Sequence, residues 1–444
     1  MVLLIIFRIM KLQFLKTFAL AATFALAFAS QGKSETLPIP DDCRIIDNIC
    51  FKFDASTKTA LVSTYATSPA EHGRPWEEYY DYDGHNLIIP STITIDSEEY
   101  TVVGFDNPIR NFMWTAKIDK VEIPSTIEVI PEYLFKYADI QTVVLHEGLK
   151  IIGNNAFGNQ PRLTEIVLPE SLDSIGDEAF IGSSLKAVRL PDNAQKLGFN
   201  IFSYCKSLEQ VILPSGIVEI PGGMFYATAI SSITLPSTIA VIGKNAFMET
   251  KLEAIELPHS LRTIEEYAFF ELPLSSIKFN DELEEIGDYA FAKLNGTVIQ
   301  LYLPLNMKSI GQNAFWKSPV KEVVLQKNLQ SIGEKAFAEC PIEKVVSLIE
   351  QPRYTPLPSQ AFDDNVFLYQ PLYVPTGLVD EYRRVIYWNK FYDIFEMDMS
   401  PLESVTMDNG TPRYYSIDGK KLAAPEKGLF IIQKDGKSQK ILKK

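Results

Sequence analysis

Eleven phenylalanines (Phe135, Phe157, Phe180, Phe202, Phe225, Phe247, Phe269, Phe291, Phe315, Phe337 and Phe362) recur at intervals of 22 to 25 residues. Self-similarity at that period belongs to a stack of short units, none of which can bury its apolar face alone, and not to a globular catalytic domain. Such an array grows in one dimension, so the length of 444 residues sets no domain count. What it does imply is a long, continuous surface.

Two further spacings are invariant. Ten frames align on an apolar strand residue, Ile123, Leu145, Leu168, Leu190, Leu213, Leu235, Leu257, Phe279, Leu303 and Leu325; an isoleucine or leucine follows seven residues later, and the repeat Phe five after that. All variation in length falls between the Phe and the next strand, where it can bulge as loop. Two residues before each strand leucine stands another apolar side chain (Val121, Val143, Ile166, Val188 and onward), giving the period-two alternation of a strand with one buried face. Pro follows the strand leucine in seven frames and ends the ladder for want of an N–H. Glycine follows the isoleucine at Gly153, Gly176, Gly243, Gly287, Gly311 and Gly333, where it suits a tight turn into one or two turns of helix carrying Ala-Phe. The expected fold is an α/β-type solenoid with a parallel sheet and short helical turns.

The assembled pattern, L-x-x-I-x-L-P-x-x-L-x-x-I-G-x-x-A-F, is cleanest from Leu163 to Phe180 and covers roughly Ile118 to Phe362. It resembles the BspA-type leucine-rich repeat of bacterial surface proteins. That resemblance implies a leucine-rich repeat array behind a β-rich N-terminal cap, and a non-enzymatic protein that adheres to matrix, to a host cell or to a neighbouring bacterium. Where common leucine-rich repeats carry Asn or Cys, three residues after the strand leucine, only a minority of these frames do, Asn193 among them, and a continuous asparagine ladder is not expected.

Residues 1–29 combine Arg8, Lys11 and Lys16 with the apolar run Thr17 to Phe28 and end in Ala27-Phe28-Ala29, as a secretory signal peptide does; Met10 offers a second start. A secreted or cell-surface location is expected, with the periplasm as the alternative. The β-rich cap is expected over 30–115, with an insertion at 68–85, and the solenoid over 116–362. A closing cap at 363–397 contains an amphipathic helix, Gly377 to Lys390, by the spacing of Leu378, Tyr382, Val385 and Trp388. A linker, 398–412, then leads to a module at 413–444 with three short strands; Thr411 to Lys444 carries nine basic residues against three acidic ones. The module resembles short C-terminal units of exported proteins, some of which act as sorting signals.

Removing the signal moves the formal charge from −14 to −17, which argues against nucleic acid as a partner, and no other stretch is apolar enough to span a membrane. Cys205 and Cys340 sit six repeats apart in equivalent places, roughly 29 Å at ~4.8 Å per strand, too far for a disulfide. Cys43 and Cys50 are close enough in sequence to bridge. The four histidines do not group with a nucleophile, no Cys and His spacing suits zinc, and Asp81-Tyr82-Asp83-Gly84 lacks the closing ligands of a calcium loop. Neither an enzyme nor a cofactor is expected.

The informative column lies one residue before each strand leucine and points away from the core: Glu122, Val144, Val167, Arg189, Ile212, Thr234, Glu256, Lys278, Tyr302 and Val324. Arg189, Glu256, Lys278 and Tyr302 are its candidate contacts with a protein partner. Glu256 and Lys278, on adjacent strands, are placed to pair. The alternative is a glycan-binding or envelope-scaffold role centred on Trp76, Tyr79 and Tyr80 in the insertion.

Overall fold

The computed structural model describes residues 41–47, 49–63, 86–106, 117–275, 277–297 and 299–397, together with the backbone of four strands within 413–443. Residues 1–29, expected to be a signal peptide, the expected insertion at 68–85 with Trp76, Tyr79 and Tyr80, and the expected linker at 398–412 lie outside the described residues.

Each coil of the solenoid runs from a leucine-bearing strand through a proline turn to a two-residue isoleucine strand, and returns through a tight arc that carries the phenylalanine. The isoleucine strands pair in parallel, residue on residue, in a four-stranded ladder ending at Lys196–Leu197 and a six-stranded one from Glu219–Ile220 to Ser331–Ile332. The leucine strands are less continuous. Asn86–Ile88, Lys117–Ile123 and Asp139–Leu145 form one ladder, Ala187–Arg189 and Gln210–Ile212 a second, and Ile299–Tyr302, Val320–Leu325, Lys344–Ser347, Leu372–Pro375 and Ile394–Met397 a third. Between them, Glu165 to Ala187 and Glu256 to Lys278 meet by single bridges.

The arc is the uninterrupted tie. Ten repeat phenylalanines, Phe135 to Phe337, each donate their backbone N–H to the carbonyl of the residue preceding the next Phe, at 2.8–3.1 Å. The expected helical turns are present as successive i→i+3 bonds, such as Ala156 N–H to Gly153 O and Gly158 N–H to Asn155 O. They do not continue as α-helix, because left-handed residues flank the Phe in every coil from Phe135 to Phe337: Asn155 (φ 54°) and Asn159 (φ 60°), or Tyr289 (φ 55°) and Lys293 (φ 56°). Alternating handedness swings alternate N–H groups along the stack, where they bond to the next coil and not to their own.

The eleven rings stack inside this arc with centroids 5.1–6.3 Å apart and planes within 3–23° of parallel. All are at most 2% exposed. Burying each ring removes apolar area worth on the order of 2–3 kcal/mol, shared between neighbouring coils.

The repeat glycine serves the stack and not a left-handed turn. A Cβ on Gly333 would stand 2.3 Å from Gln312 N, and one on Gly311 2.4 Å from Asp288 N, both in the preceding coil. Neither glycine has positive φ, so close approach of the adjacent backbone is what excludes a side chain.

Polar columns take the place of an asparagine ladder. Three residues after the strand leucine, Thr126, Ser171, Thr238 and Ser260 donate hydroxyls to carbonyls of the coil before, and Asn193 and Asn328 donate amides at 2.7 and 3.0 Å. Three residues after the Phe, Gln160, Cys205, Ser318 and Cys340 donate to the carbonyl of the previous coil's phenylalanine. Cys205 and Cys340 are thus buried free thiols with a structural task, and burial pushes the first up to about 11 and the second to about 12.

The N-terminal cap contains β1 (Cys43–Ile46), β2 (Ile49–Asp54), β3 (Thr59–Ser63), β4 (Asn86–Ile88), β5 (Thr92–Ile95) and β6 (Glu98–Phe105). Its sheet has the order β1-β2-β3-β6-β5, while β4 leaves it to pair in parallel with Lys117–Ile123 as the first rung of the leucine sheet. At the other end the expected continuous helix is broken. α1 (Asp364–Tyr369) precedes the strand Leu372–Pro375, and α2 covers only Val379–Arg384 before the chain turns extended at Val385 (ψ 129°) and left-handed at Tyr387 (φ 67°). That break lets Tyr382 and Trp388 both point into the stack, fully buried, and it returns the chain as Ile394–Met397, the last strand of the leucine sheet. The C-terminal module has four strands and not three, Arg413–Ser416, Lys421–Leu422, Gly428–Lys434 and Lys437–Lys443, all antiparallel.

Candidate recognition surface

The outward column of the leucine sheet follows from strand alternation, and the register extends it beyond the frames recognisable in the sequence. Ile88 stands beside Glu122 and Glu122 beside Val144; at the far end Tyr302, Val324, Val346, Tyr373 and Phe395 are successive neighbours, with Val346 itself covered at 3% exposure. Ile88, Tyr373 and Phe395 were missed because their coils lack the full repeat, although Leu372-Tyr373-Val374 alternates like any other strand.

Charge on this face is mostly spoken for. Glu122 accepts from Lys120 Nζ at 2.6 Å and from His146 Nε2 at 3.0 Å, which holds its carboxyl below the usual carboxylate range. Along the edge, Arg162 crosses two coils to reach Asp119 and Asp139 at 3.0 and 2.9 Å. Lys344 pairs with Glu322 at 2.9 Å and lies 5.3 Å over the Tyr373 ring. Arg189 is exposed but bonded to Glu170, which stands in the turn of the coil before. Glu256 and Lys278 are exposed and joined by their backbone bridge, yet no ion pair forms between their side chains, which leaves both charges turned to solvent. Tyr302 is half-buried, and its phenol is raised first by that burial and then by the Glu322 charge. The structure therefore places Arg189, Glu256, Lys278 and Tyr302 on one face, in one column.

The same column carries uncovered apolar side chains on either side of Arg189: Val167 is 80% exposed and Ile212 61%. A second aromatic group, invisible in the spacing, lies on the phenylalanine arc. Tyr267 and Tyr289 stack at 4.8 Å, Trp316 meets Tyr289 edge-on at 6.4 Å, and Lys293 sits between Phe270 and Trp316 at 5.0 and 5.7 Å. These rings pack on one another and on the Lys293 ammonium.

The isoleucine face has an open groove lined by Lys244, Glu265, Glu266, Glu285, Asp288 and Ser309. Three of its four carboxylates are engaged by the fold: Glu265 accepts from Lys244 N–H, Glu266 from Lys244 Nζ and Asp288 from Gln312 N–H, at 2.6–2.9 Å. Among the described residues no three His, Cys, Asp or Glu side chains are grouped to hold a metal ion, and no helix is long and apolar enough to cross a membrane.

Comparison with known proteins agrees with this architecture. The family model of the BspA type leucine rich repeat region matches six copies, over residues 109–160, 128–253 and 240–368. A leucine-rich repeat protein from Bacteroides ovatus is similar in structure at a TM-score of 0.51 and 21% identity, over 80% of this chain and 76% of that one. The pneumococcal vaccine antigen PcpA aligns at a TM-score of 0.47 and 17% identity over 80% of this chain and 98% of its own. A leucine rich cell surface protein from Faecalibacterium prausnitzii aligns at 0.46 and 21% over 85% of this chain and 100% of that one. Among curated proteins none matches. With the family model spanning the whole solenoid, this chain belongs to the BspA-type leucine-rich repeat family.

Proposed function

We propose that this is an exported, non-enzymatic binding protein that engages another protein through the outward column of its leucine sheet, on a cell surface or in the surrounding matrix. The observation that carries the reading is the pair Val167 and Ile212, 80% and 61% exposed, each flanked along the chain by side chains buried in the solenoid core, Ile166 and Leu168 for the first and Val211 and Leu213 for the second. Apolar side chains held rigidly in water lose little entropy on contact and gain the full benefit of desolvation, which is how the centre of an interface works. Glu256 and Lys278, free of each other, would orient a partner of complementary charge. Export rests on the basic head, apolar run and Ala-Phe-Ala ending of residues 1–29.

The test is a binding panel of purified matrix and cell-surface proteins, run beside a glycan array with the chain lacking residues 1–29. Saturable binding to a protein is expected, and Val167→Asp with Ile212→Asp should weaken it at least about tenfold, about 1.4 kcal/mol, with the thermal unfolding curve unchanged. Binding confined to glycans and indifferent to these substitutions would contradict the proposal.

A further inference from the structure

We infer that Cys43 and Cys50 form a cross-strand disulfide that staples the outermost hairpin of the N-terminal cap. β1 and β2 are antiparallel, with Cys43 opposite Lys52 and Ile45 opposite Cys50, so the two cysteines are diagonal neighbours on one face of the hairpin. Phe51, which points into the common core, is on the other face. The cysteines are 1% and 3% exposed although Ile45, on the same face, is 48% exposed. The Cys43 thiol has Cys50 within hydrogen-bonding reach, and Asp42 Oδ1 lies 3.8 Å away.

Among the described residues β1 is the edge of its sheet, paired on one side only. A strand so placed at the end of a solenoid frays first, and a covalent link to β2 opposes that.

The chemistry needs an external disulfide, either a small one or an oxidised dithiol protein of the export compartment. One cysteine thiolate attacks it and releases the first thiolate; the second cysteine then attacks the mixed disulfide and releases the other. Two cysteine thiols lose two electrons and two protons, and the oxidant leaves as two thiols. In the folded chain, burial, Cys50 and Asp42 push the Cys43 thiol up to about 12. Thiolate is therefore scarce once the cap has closed, and the bond belongs to folding during export and not to a reversible switch.

The inference rests on the export reading for its setting, but its test does not. The chain is unfolded under reducing conditions, refolded with oxidised and reduced glutathione, and its free thiols titrated in denaturant. Two thiols are expected in place of four. Trypsin cuts after Arg44, so a non-reducing digest should yield the peptide ending at Arg44 linked to Ile45–Lys52, lighter than the two free peptides by two hydrogen atoms. The Cys43→Ser, Cys50→Ser double variant should keep two thiols whatever the oxidant. Four titrating thiols in the refolded chain, or a linkage through Cys205 or Cys340, would overturn the inference. Retention of residues 1–29 on protein recovered from cells would refute export alone and leave the refolding result standing.

Discussion

Phe247→Ala is expected to cost about 3–5 kcal/mol, among the largest losses available to a single substitution in this chain. The ring is fully buried and stacked at 5.4 Å against Phe225 on one side and Phe269 on the other. Truncation opens a cavity between two coils whose backbones are fixed by the bonds from Phe225 N–H to Ala246 O and from Phe247 N–H to Ala268 O, so collapse around it is limited. Tyr369→Ala removes a comparable ring that is 76% exposed and should stay within about 0.5 kcal/mol of the parent. The comparison is read from urea denaturation midpoints; equal shifts would mean that the phenylalanines do not form the spine.

Trp388→Ala should be of similar size, about 3–5 kcal/mol, but local in its consequences. The indole is fully buried, meets Tyr382 edge-on at 5.1 Å, and donates Nε1–H to Thr355 O at 3.0 Å. Its removal empties the closing cap and strands a buried carbonyl, a further cost of about 1–3 kcal/mol where water does not replace the donor. Since each coil touches only its neighbours, the damage should stop within a coil or two. Limited proteolysis should cut the variant early between residues 363 and 397 while the central array resists. A digestion pattern identical to the parent's would show that the solenoid is closed by something other than this cap.

The apolar positions were legible because packing fixes their period. A leucine, an isoleucine and a phenylalanine at constant offsets can face one core only if every coil has the same circumference. Backbone detail was harder to read. Asn155, Asn159, Asn200 and Asn245 advertise left-handed sites, being the residue type that tolerates them best after glycine, but Tyr267, Tyr289 and Lys335 occupy the same positions with no such signal. The repeat glycine suggested a turn, whereas its reason lies in the coil before it, which a single repeat does not display. The helical spacing of Leu378, Tyr382, Val385 and Trp388 was real, yet the left-handed Tyr387 lets the chain turn back as a strand while keeping the same side chains inside.

The candidate surface was legible in direction but not in partnership. Alternation alone puts Arg189 and Lys278 outward. That Glu170 neutralises Arg189 while Glu256 leaves Lys278 unpaired depends on how a turn in one coil overhangs the strand of the next, which no spacing encodes.

The measurement that bears most directly on recognition by this face is the affinity of two double variants for the protein partner found in the panel. Reversing Arg189 and Lys278 to Glu should weaken binding and slow association while the melting temperature stays nearly fixed, because exposed charges steer partners but add little stability. Trp76→Ala with Tyr80→Ala should leave that affinity unchanged. The opposite outcome, with the charge reversals silent and the aromatic substitutions abolishing binding, would contradict the leucine-sheet reading and move the site to the N-terminal insertion.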